Sequence, residues 1–156
     1  MGTSGLTYHV SWRHDGSYAL ITSSLGTVYG FDGITLQQFQ SEVTEVSVPY
    51  WLEDDSSCVL LSHDEIYTFD SLQEEAIFIT ATPGGITGYS LDWCEPMHYF
   101  LITCDDGQLL KYFPGTNEFI SIDGGVDDKL YATEWNMNGN FAFVVGEDGH
   151  LFKYLG

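Results

Sequence analysis

Four tryptophans divide this chain into repeats. Trp12, Trp51, Trp93 and Trp135 lie 39, 42 and 42 residues apart, and they are all the tryptophans of the 156-residue sequence. Each is followed by a polar turn, an apolar run (YALIT, CVLLS, YFLIT and FAFVV), a second polar turn and a short run that ends in an aromatic residue. A period near 42 residues that contains several short strands is typical of repeated small sheets and not of helical repeats.

The runs within one repeat indicate four β-strands, because they are five to seven residues long, rich in β-branched and aromatic residues, and bounded by Gly, Asp, Asn or Ser. In the first repeat we assign strands A to D to Tyr8–Trp12, Tyr18–Ser23, Thr27–Phe31 and Leu36–Gln40. Pro49 lies inside strand A of the second repeat. Since proline lacks a backbone donor, that strand should be an edge strand, start late or carry a bulge.

This pattern predicts an all-β fold, a β-propeller or half-propeller of about four blades. The blades should have four antiparallel strands each, except the last, which stops after its strand C. We expect one propeller domain over residues 1–156, with repeat units at approximately 6–42, 43–84, 85–126 and 127–156.

The charge of the chain restricts its partners. There are 23 Asp and Glu residues against 4 Lys and Arg, which gives a formal net charge of −19. Such a surface repels phosphate groups, so we expect neither nucleic acid nor an anionic membrane as a partner. The excess fits a solvated acidic surface, a high-salt cytoplasm, or a protein that binds cations or a basic protein or peptide.

The sequence indicates a cytoplasmic protein, because it shows no apolar run of about 18 residues and no signal-peptide pattern at its start. The three cysteines, Cys58, Cys94 and Cys104, lack C-x-x-C spacing. We therefore expect reduced, partly buried thiols and neither a disulfide framework nor a zinc site.

The repeats resemble those of β-propellers in the broad WD40 and YVTN-like group, and above all the prokaryotic W-N-P-D-G-S-Y-A-L-I-V-G type. The segments SWRHDGSYALITSSLGTVYGFDG (residues 11–33) and EWNMNGNFAFVVGEDGHLFKYLG (134–156) carry the resemblance well, the third repeat carries it similarly and the second in outline. Phe31-Asp32 and Phe69-Asp70 stand where a WD40 repeat has Trp-Asp, but no Gly-His pair precedes any strand A. The resemblance is specific for architecture and nearly silent on function.

The tryptophans are expected to be core residues. One four-stranded blade cannot bury both of its faces alone, so Trp12, Trp51, Trp93 and Trp135, with the strand B runs, should fill the space between neighbouring blades. An open arc of blades would leave an apolar face at each end. Three arrangements would cover these faces: a ring completed by two chains, which repeat symmetry favours; a closed four-bladed ring; or a fragment completed by other blades.

Recurrent acidic residues in the turn between strands B and C give the candidate binding surface. The sequences HDE, DDG and EDG occupy this turn in three repeats, and we expect them on one rim of the propeller. Carboxylate oxygens in turns can bind Ca²⁺, and a negative rim can attract a basic peptide; Asp-Gly also simply forms good turns. The candidate residues are His63, Asp64, Glu65, Asp105, Asp106, Glu147 and Asp148.

We find no catalytic signature, since the sequence lacks a G-x-S-x-G elbow, a P-loop, G-x-G-x-x-G, H-E-x-x-H and an EF-hand loop. The prediction is accordingly a non-catalytic binding or assembly module that forms a homo-oligomer, with a half-ring dimer favoured, and with no cofactor apart from Ca²⁺ as a candidate at the acidic rim. Two alternatives stay open: a minimal or engineered structural propeller that closes as a four-bladed ring without a ligand, and a propeller hydrolase.

Overall fold

The computed structural model describes residues 7–45, 47–70 and 72–156. The chain divides into two compact units, residues 1–81 and 82–156. The described strands of the first unit are β1 (Thr7–Trp12), β2 (Ala19–Ser23), β3 (Val28–Phe31), β4 (Leu36–Gln38), β5 (Gln40–Ser41), β6 (Val48–Trp51), β7 (Ser57–Ser62), β8 (Glu65–Asp70) and β9 (Glu75–Ala81). Those of the second are β10 (Gly88–Cys94), β11 (Tyr99–Cys104), β12 (Gln108–Phe113), β13 (Glu118–Asp123), β14 (Leu130–Trp135), β15 (Ala142–Gly146) and β16 (Leu151–Tyr154).

These strands form four small sheets, two in each unit. The first sheet has the order β1-β2-β3-β4 and the second β5-β9-β8-β7-β6; in the second unit the third sheet is β10-β11-β12-β13 and the fourth β14-β15-β16. Over the described residues, helical structure is confined to short 3-10 turns at Pro83–Gly85, Glu95–Met97 and Glu147–Gly149. The all-β prediction is confirmed, with blade-like sheets of the propeller kind and a last sheet of three strands.

The four sheets share one register between their first two strands. Trp12 pairs with Ala19, Trp51 with Cys58, Trp93 with Phe100 and Trp135 with Ala142. Residues at the same distance from these pairs therefore occupy equivalent positions in different sheets.

Pro49 has the expected effect on the second sheet. Strand β6 lies at the edge of its sheet and begins three residues before its tryptophan, whereas β1, β10 and β14 begin five residues before theirs. Pro49 still pairs in register with Leu60. An edge position and a late start thus accommodate the missing N–H without a bulge.

Strand D of the first repeat differs from the prediction. The expected continuous strand over residues 36–40 is split into β4, which is antiparallel to β3, and β5, which is parallel to β9 of the second sheet. Phe39 lies between the two strands and is buried in the core of the first unit. The Phe39 N–H still donates to the Val28 carbonyl of the first sheet, and pairing with the second sheet begins at Gln40, a division that sequence periodicity does not reveal.

The core of the first unit lies between its two sheets. Within each unit, the earlier sheet packs on the later one with a face that we call trailing, and the later sheet meets it with the opposite face, which we call leading; equivalent positions in every sheet keep these names. Leu20 and Val28 on the trailing face of the first sheet pack in one cluster with Trp51 and Phe69 on the leading face of the second. The rings of Trp51 and Phe69 meet edge to face at 6.3 Å and 87°.

The second unit repeats this arrangement. Leu101 and Leu109 on the trailing face of the third sheet pack with Trp135, Val144 and Tyr154 on the leading face of the fourth. The rings of Trp135 and Tyr154 meet edge to face at 5.8 Å and 73°. In both units, therefore, the preceding sheet packs on a tryptophan of strand A and an aromatic residue of strand C.

The expectation that every tryptophan is buried does not hold. Trp51 and Trp135 are 1% and 8% exposed, but Trp12 is 48% exposed, and Trp93 is half-buried. The physical reason at Trp12 is its place on the leading face of the first sheet, since burial of that residue depends on a preceding sheet. All three cysteines are buried and free, and burial raises the pKa of the Cys104 thiol to about 12.

Among the described residues, no helix has the length and apolar character needed to span a membrane.

Candidate functional site

The predicted acidic residues lie in the turns between the second and third strands of their sheets. His63 and Asp64 separate β7 from β8, Asp106 lies between β11 and β12, and Asp148 lies between β15 and β16. His63, Asp106 and Asp148 each adopt a left-handed conformation, with φ of 50°, 52° and 52°. The turns are therefore equivalent in three of the sheets, which is the geometric basis of the predicted rim.

In the second unit, Asp105 belongs to a small polar cluster. Its carboxylate accepts a hydrogen bond from the Tyr89 hydroxyl at 2.7 Å, and the Lys129 ammonium lies 3.6 Å from the same oxygen. The Lys129 Nζ also lies 5.5 Å from the centre of the Tyr89 ring. Burial and the bond to Asp105 raise the pKa of Tyr89, and the bond to Tyr89 raises the pKa of Lys129.

The segment that leads from the third sheet to the fourth is anchored to both acidic turns of this unit. The backbone N–H of Gly107 donates to the carbonyl of Asp128 at 2.8 Å, and the N–H of Glu147 donates to the carbonyl of Lys129 at 2.8 Å. His150 Nε2 lies 2.8 Å from the Asp128 carboxylate. Both turns thus have a clear structural role in holding this connection.

In the first unit, the turn residues also have local partners. His63 Nδ1 lies 2.7 Å from the Glu45 carboxylate, with both side chains about half exposed. Glu65 accepts a hydrogen bond from the Tyr67 hydroxyl. The structure therefore pairs His63 and His150 with different carboxylates, one in each unit.

The described residues include no group of three or more His, Cys, Asp or Glu side chains placed to hold a metal ion. Calcium at the acidic rim, like a basic peptide there, stays a prediction. Asp106, Glu147 and Asp148 are exposed, so they remain accessible to a partner of either kind.

Sequence reasoning missed a recurrent bulge in the first strand of three sheets. The register shifts between Thr7 and His9, between Gly88 and Ser90, and between Leu130 and Ala132. The skipped residues are Tyr8, Tyr89 and Tyr131, each four positions before its tryptophan. In the second unit the rings of Tyr89 and Tyr131 meet at 5.5 Å and 72°, and Tyr131 is 45% exposed. The recurrence of a tyrosine at this position was the sequence feature that could have predicted the bulge.

Two apolar sheet faces are also exposed. On the trailing face of the fourth sheet, Phe143 is 50% and Leu151 is 66% exposed, and Glu134 and Lys153 flank them in solvent. On the leading face of the first sheet, Trp12 and Val10 are 48% and 59% exposed, whereas Tyr29 on the same face is buried. Apolar side chains grouped on one sheet face are typical of interaction surfaces.

The comparisons with known proteins identify the fold alone. No protein-family model matches the sequence, and no curated protein matches it, so the WD40 and YVTN-like assignment stays a prediction. The chain is similar in structure to the extracellular domain of the putative one-component system BT4673 from B. thetaiotaomicron, with a TM-score of 0.77 and 12% identity over 100% of this chain.

A second structure, described as the extracellular domain of the putative hybrid two-component system BT4673, gives a TM-score of 0.75 and 12% identity over 97% of this chain. The chain covers 22% and 21% of these two structures. It therefore spans about a fifth of their length, and the likeness concerns that part only.

Proposed function

We propose that this chain is a non-catalytic binding and assembly module that completes its propeller by associating with a second copy of itself. The observation that carries the proposal is the exposed trailing face of the fourth sheet. Leu101 and Leu109 on the trailing face of the third sheet are 0% and 1% exposed, whereas Phe143 and Leu151, at the equivalent positions of the fourth sheet, lie in solvent. Apolar surface that one repeat buries and another exposes favours association.

The polar groups of the rim support the non-catalytic part of the proposal. Asp105 and Glu65 are bonded to tyrosine hydroxyls of their own units, and His150 is paired with Asp128. These side chains hold turns and connections.

The cytoplasm remains the proposed location. The three thiols are buried and free, which suits a reducing compartment. The two similar structures are extracellular domains, so fractionation of cells that produce the tagged protein is the direct check. Recovery in the extracellular fraction would contradict the proposal.

The mass in solution tests self-association. We expect light scattering after size exclusion to give about twice the 17.4 kDa of the chain in high salt, with partial dissociation in low salt, where the charge of −19 on each copy is less screened. A mass of one chain at every salt and protein concentration would overturn the proposal.

A pair of variants makes this test specific. Phe143→Glu places a charge on the exposed trailing face and should give the mass of one chain. Met137→Glu adds the same charge at a fully exposed turn position and should leave the mass unchanged. If both variants gave the same mass in solution, association would use another surface.

A further inference from the structure

We propose that the two copies pair head to tail, with the trailing face of the fourth sheet of one copy packed on the leading face of the first sheet of the other. This inference rests on the self-association proposed above and specifies which surfaces meet. It follows from a comparison of the two exposed faces with the packing that the chain already contains inside its second unit.

That packing, between the third and fourth sheets, has an apolar, a cationic and a hydrogen-bonded part. Leu101 and Leu109 are buried in the cluster that contains Trp135. The ammonium group of Lys111 lies 4.6 Å from the centre of the Tyr99 ring in its own sheet and 5.8 Å from the Tyr154 ring in the next sheet.

The hydrogen-bonded part joins the first strands of the two sheets. Asp92 Oδ2 accepts the backbone N–H of Trp135 at 2.5 Å, and Ser90 Oγ accepts that of Thr133 at 3.0 Å. These side chains satisfy donors at the edge of β14, where no strand of its own sheet lies alongside. A trailing face of this chain thus supplies two leucines, a lysine and a carboxylate to the sheet that follows it.

The trailing face of the fourth sheet carries a matching apolar, cationic and carboxylate set, and Ala132 stands at the position of Ser90. Asp92 pairs with Leu101 and Leu101 with Lys111 in the third sheet; Glu134 pairs with Phe143 and Phe143 with Lys153 in the fourth. The equivalents of the two buried leucines are therefore Phe143 and Leu151. Lys153 Nζ lies 4.0 Å from the ring centre of Phe141, which takes the place of Tyr99.

The leading face of the first sheet carries the complementary set. Trp12 and Phe31 meet edge to face at 6.1 Å and 75°, close to the geometry of Trp135 with Tyr154 and of Trp51 with Phe69. Each of those two pairs is covered by the preceding sheet of its own unit. The Trp12 and Phe31 pair has the same shape, and its tryptophan is half exposed.

The two faces therefore fit one another. In the head-to-tail pair, Phe143 and Leu151 of one copy cover Trp12 of the other, and the Lys153 ammonium lies over the Phe31 ring, where a cation–π contact is favourable. Glu134 takes the role of Asp92 and accepts the backbone N–H of Trp12. A contact between two trailing faces would leave both Trp12 rings in solvent, whereas two head-to-tail contacts cover both of these faces on both copies.

Variants of the leading face distinguish this pairing from the alternatives. Val10→Glu and Trp12→Glu should each raise the dimer dissociation constant about 30-fold or more, the loss expected for a central interface residue. Ile34→Glu, which adds the same charge at a fully exposed turn of the first unit, should leave it within about twofold. Val10→Glu keeps the test valid if Trp12→Glu fails to fold.

A mixing experiment completes the test. Val10→Glu retains an intact trailing face and Phe143→Glu an intact leading face, so the two variants together should associate more strongly than either alone. If the leading-face variants dimerise like the native chain while Phe143→Glu does not, or if mixing brings no gain, head-to-tail pairing is overturned. A native chain that is a monomer would instead refute the proposed self-association itself.

Discussion

The third and fourth sheets carry the same sequence pattern in different surroundings. All six residues of β11 are buried, whereas buried and exposed residues alternate from Ala142 to Val145 in β15. Both strands are apolar, and both pair with their neighbours in the same register. The difference on their trailing faces arises because the fourth sheet covers the third. The repeat therefore determines a blade, and the adjacent blade determines how much of it is buried.

The largest expected effect comes from the tryptophans of the leading faces. Trp135→Ala should reduce the free energy of unfolding by about 3–5 kcal/mol, because it leaves a cavity against the third sheet. Trp12→Ala should cost roughly half as much, since half of that side chain is already in solvent. Urea unfolding at low protein concentration measures both values, and equal losses would contradict the comparison.

The second largest difference in the free energy of unfolding should appear between substitutions on the two trailing faces. Leu101→Ala removes a fully buried side chain and should cost about 2–5 kcal/mol. Phe143→Ala, at the equivalent exposed position, should cost less than about 1 kcal/mol in the isolated chain. The same unfolding experiment compares them, and a large loss for Phe143→Ala at low concentration would show that its face is already covered in the monomer.

The acidic turns of the second unit give a third contrast. A Cβ at Gly107 would lie 1.6 Å from the carbonyl oxygen of Val126, whereas one at Gly149 would meet nothing within 4 Å; φ is +64° and +79°. Gly149→Ala should cost about 1 kcal/mol from the backbone conformation alone, and Gly107→Ala about 2 kcal/mol or more. Thermal unfolding of both variants should rank them in this order, and the reverse order would contradict it.

The last contrast concerns the pH dependence of stability, through a buried tyrosine of the third sheet. Burial raises the pKa of Tyr112 to about 12, above the value of about 10 for an unfolded tyrosine. The neutral folded form therefore contributes its full stability below pH ~10, and this is lost as the pH rises through ~12.

Tyr112→Phe tests this dependence. Because phenylalanine does not ionise, the variant should lose less stability over that interval, by no more than about 1.4 kcal/mol per pH unit. Urea unfolding across the interval measures both slopes, and identical slopes would exclude Tyr112 as a contributor.

Local patterns predicted the fold better than the site. The repeated pattern of tryptophans and aromatic strand ends predicted four sheets, and the missing N–H of Pro49 predicted the edge position and late start of its strand, because these features depend on residues close in sequence. The prediction that Trp12 is buried was wrong, since burial at this position depends on a neighbouring sheet. The split strand around Phe39 and the cluster of Tyr89, Asp105 and Lys129 were missed, because they depend on side-chain packing between segments that sequence periodicity does not connect.

The segment from Leu36 to Glu42 has a consequence for how the first unit opens. The N–H of Phe39 donates to the carbonyl of Val28 in the first sheet, and the N–H of Glu42 to that of Ala76 in the second. The Glu42 carboxylate also accepts the N–H of Phe78. This short stretch of backbone is thus hydrogen-bonded to both sheets. Neither sheet can therefore open along this border without weakening the hydrogen bonds of the other. Hydrogen exchange along β4 and β9 is accordingly expected to proceed with a single opening rate.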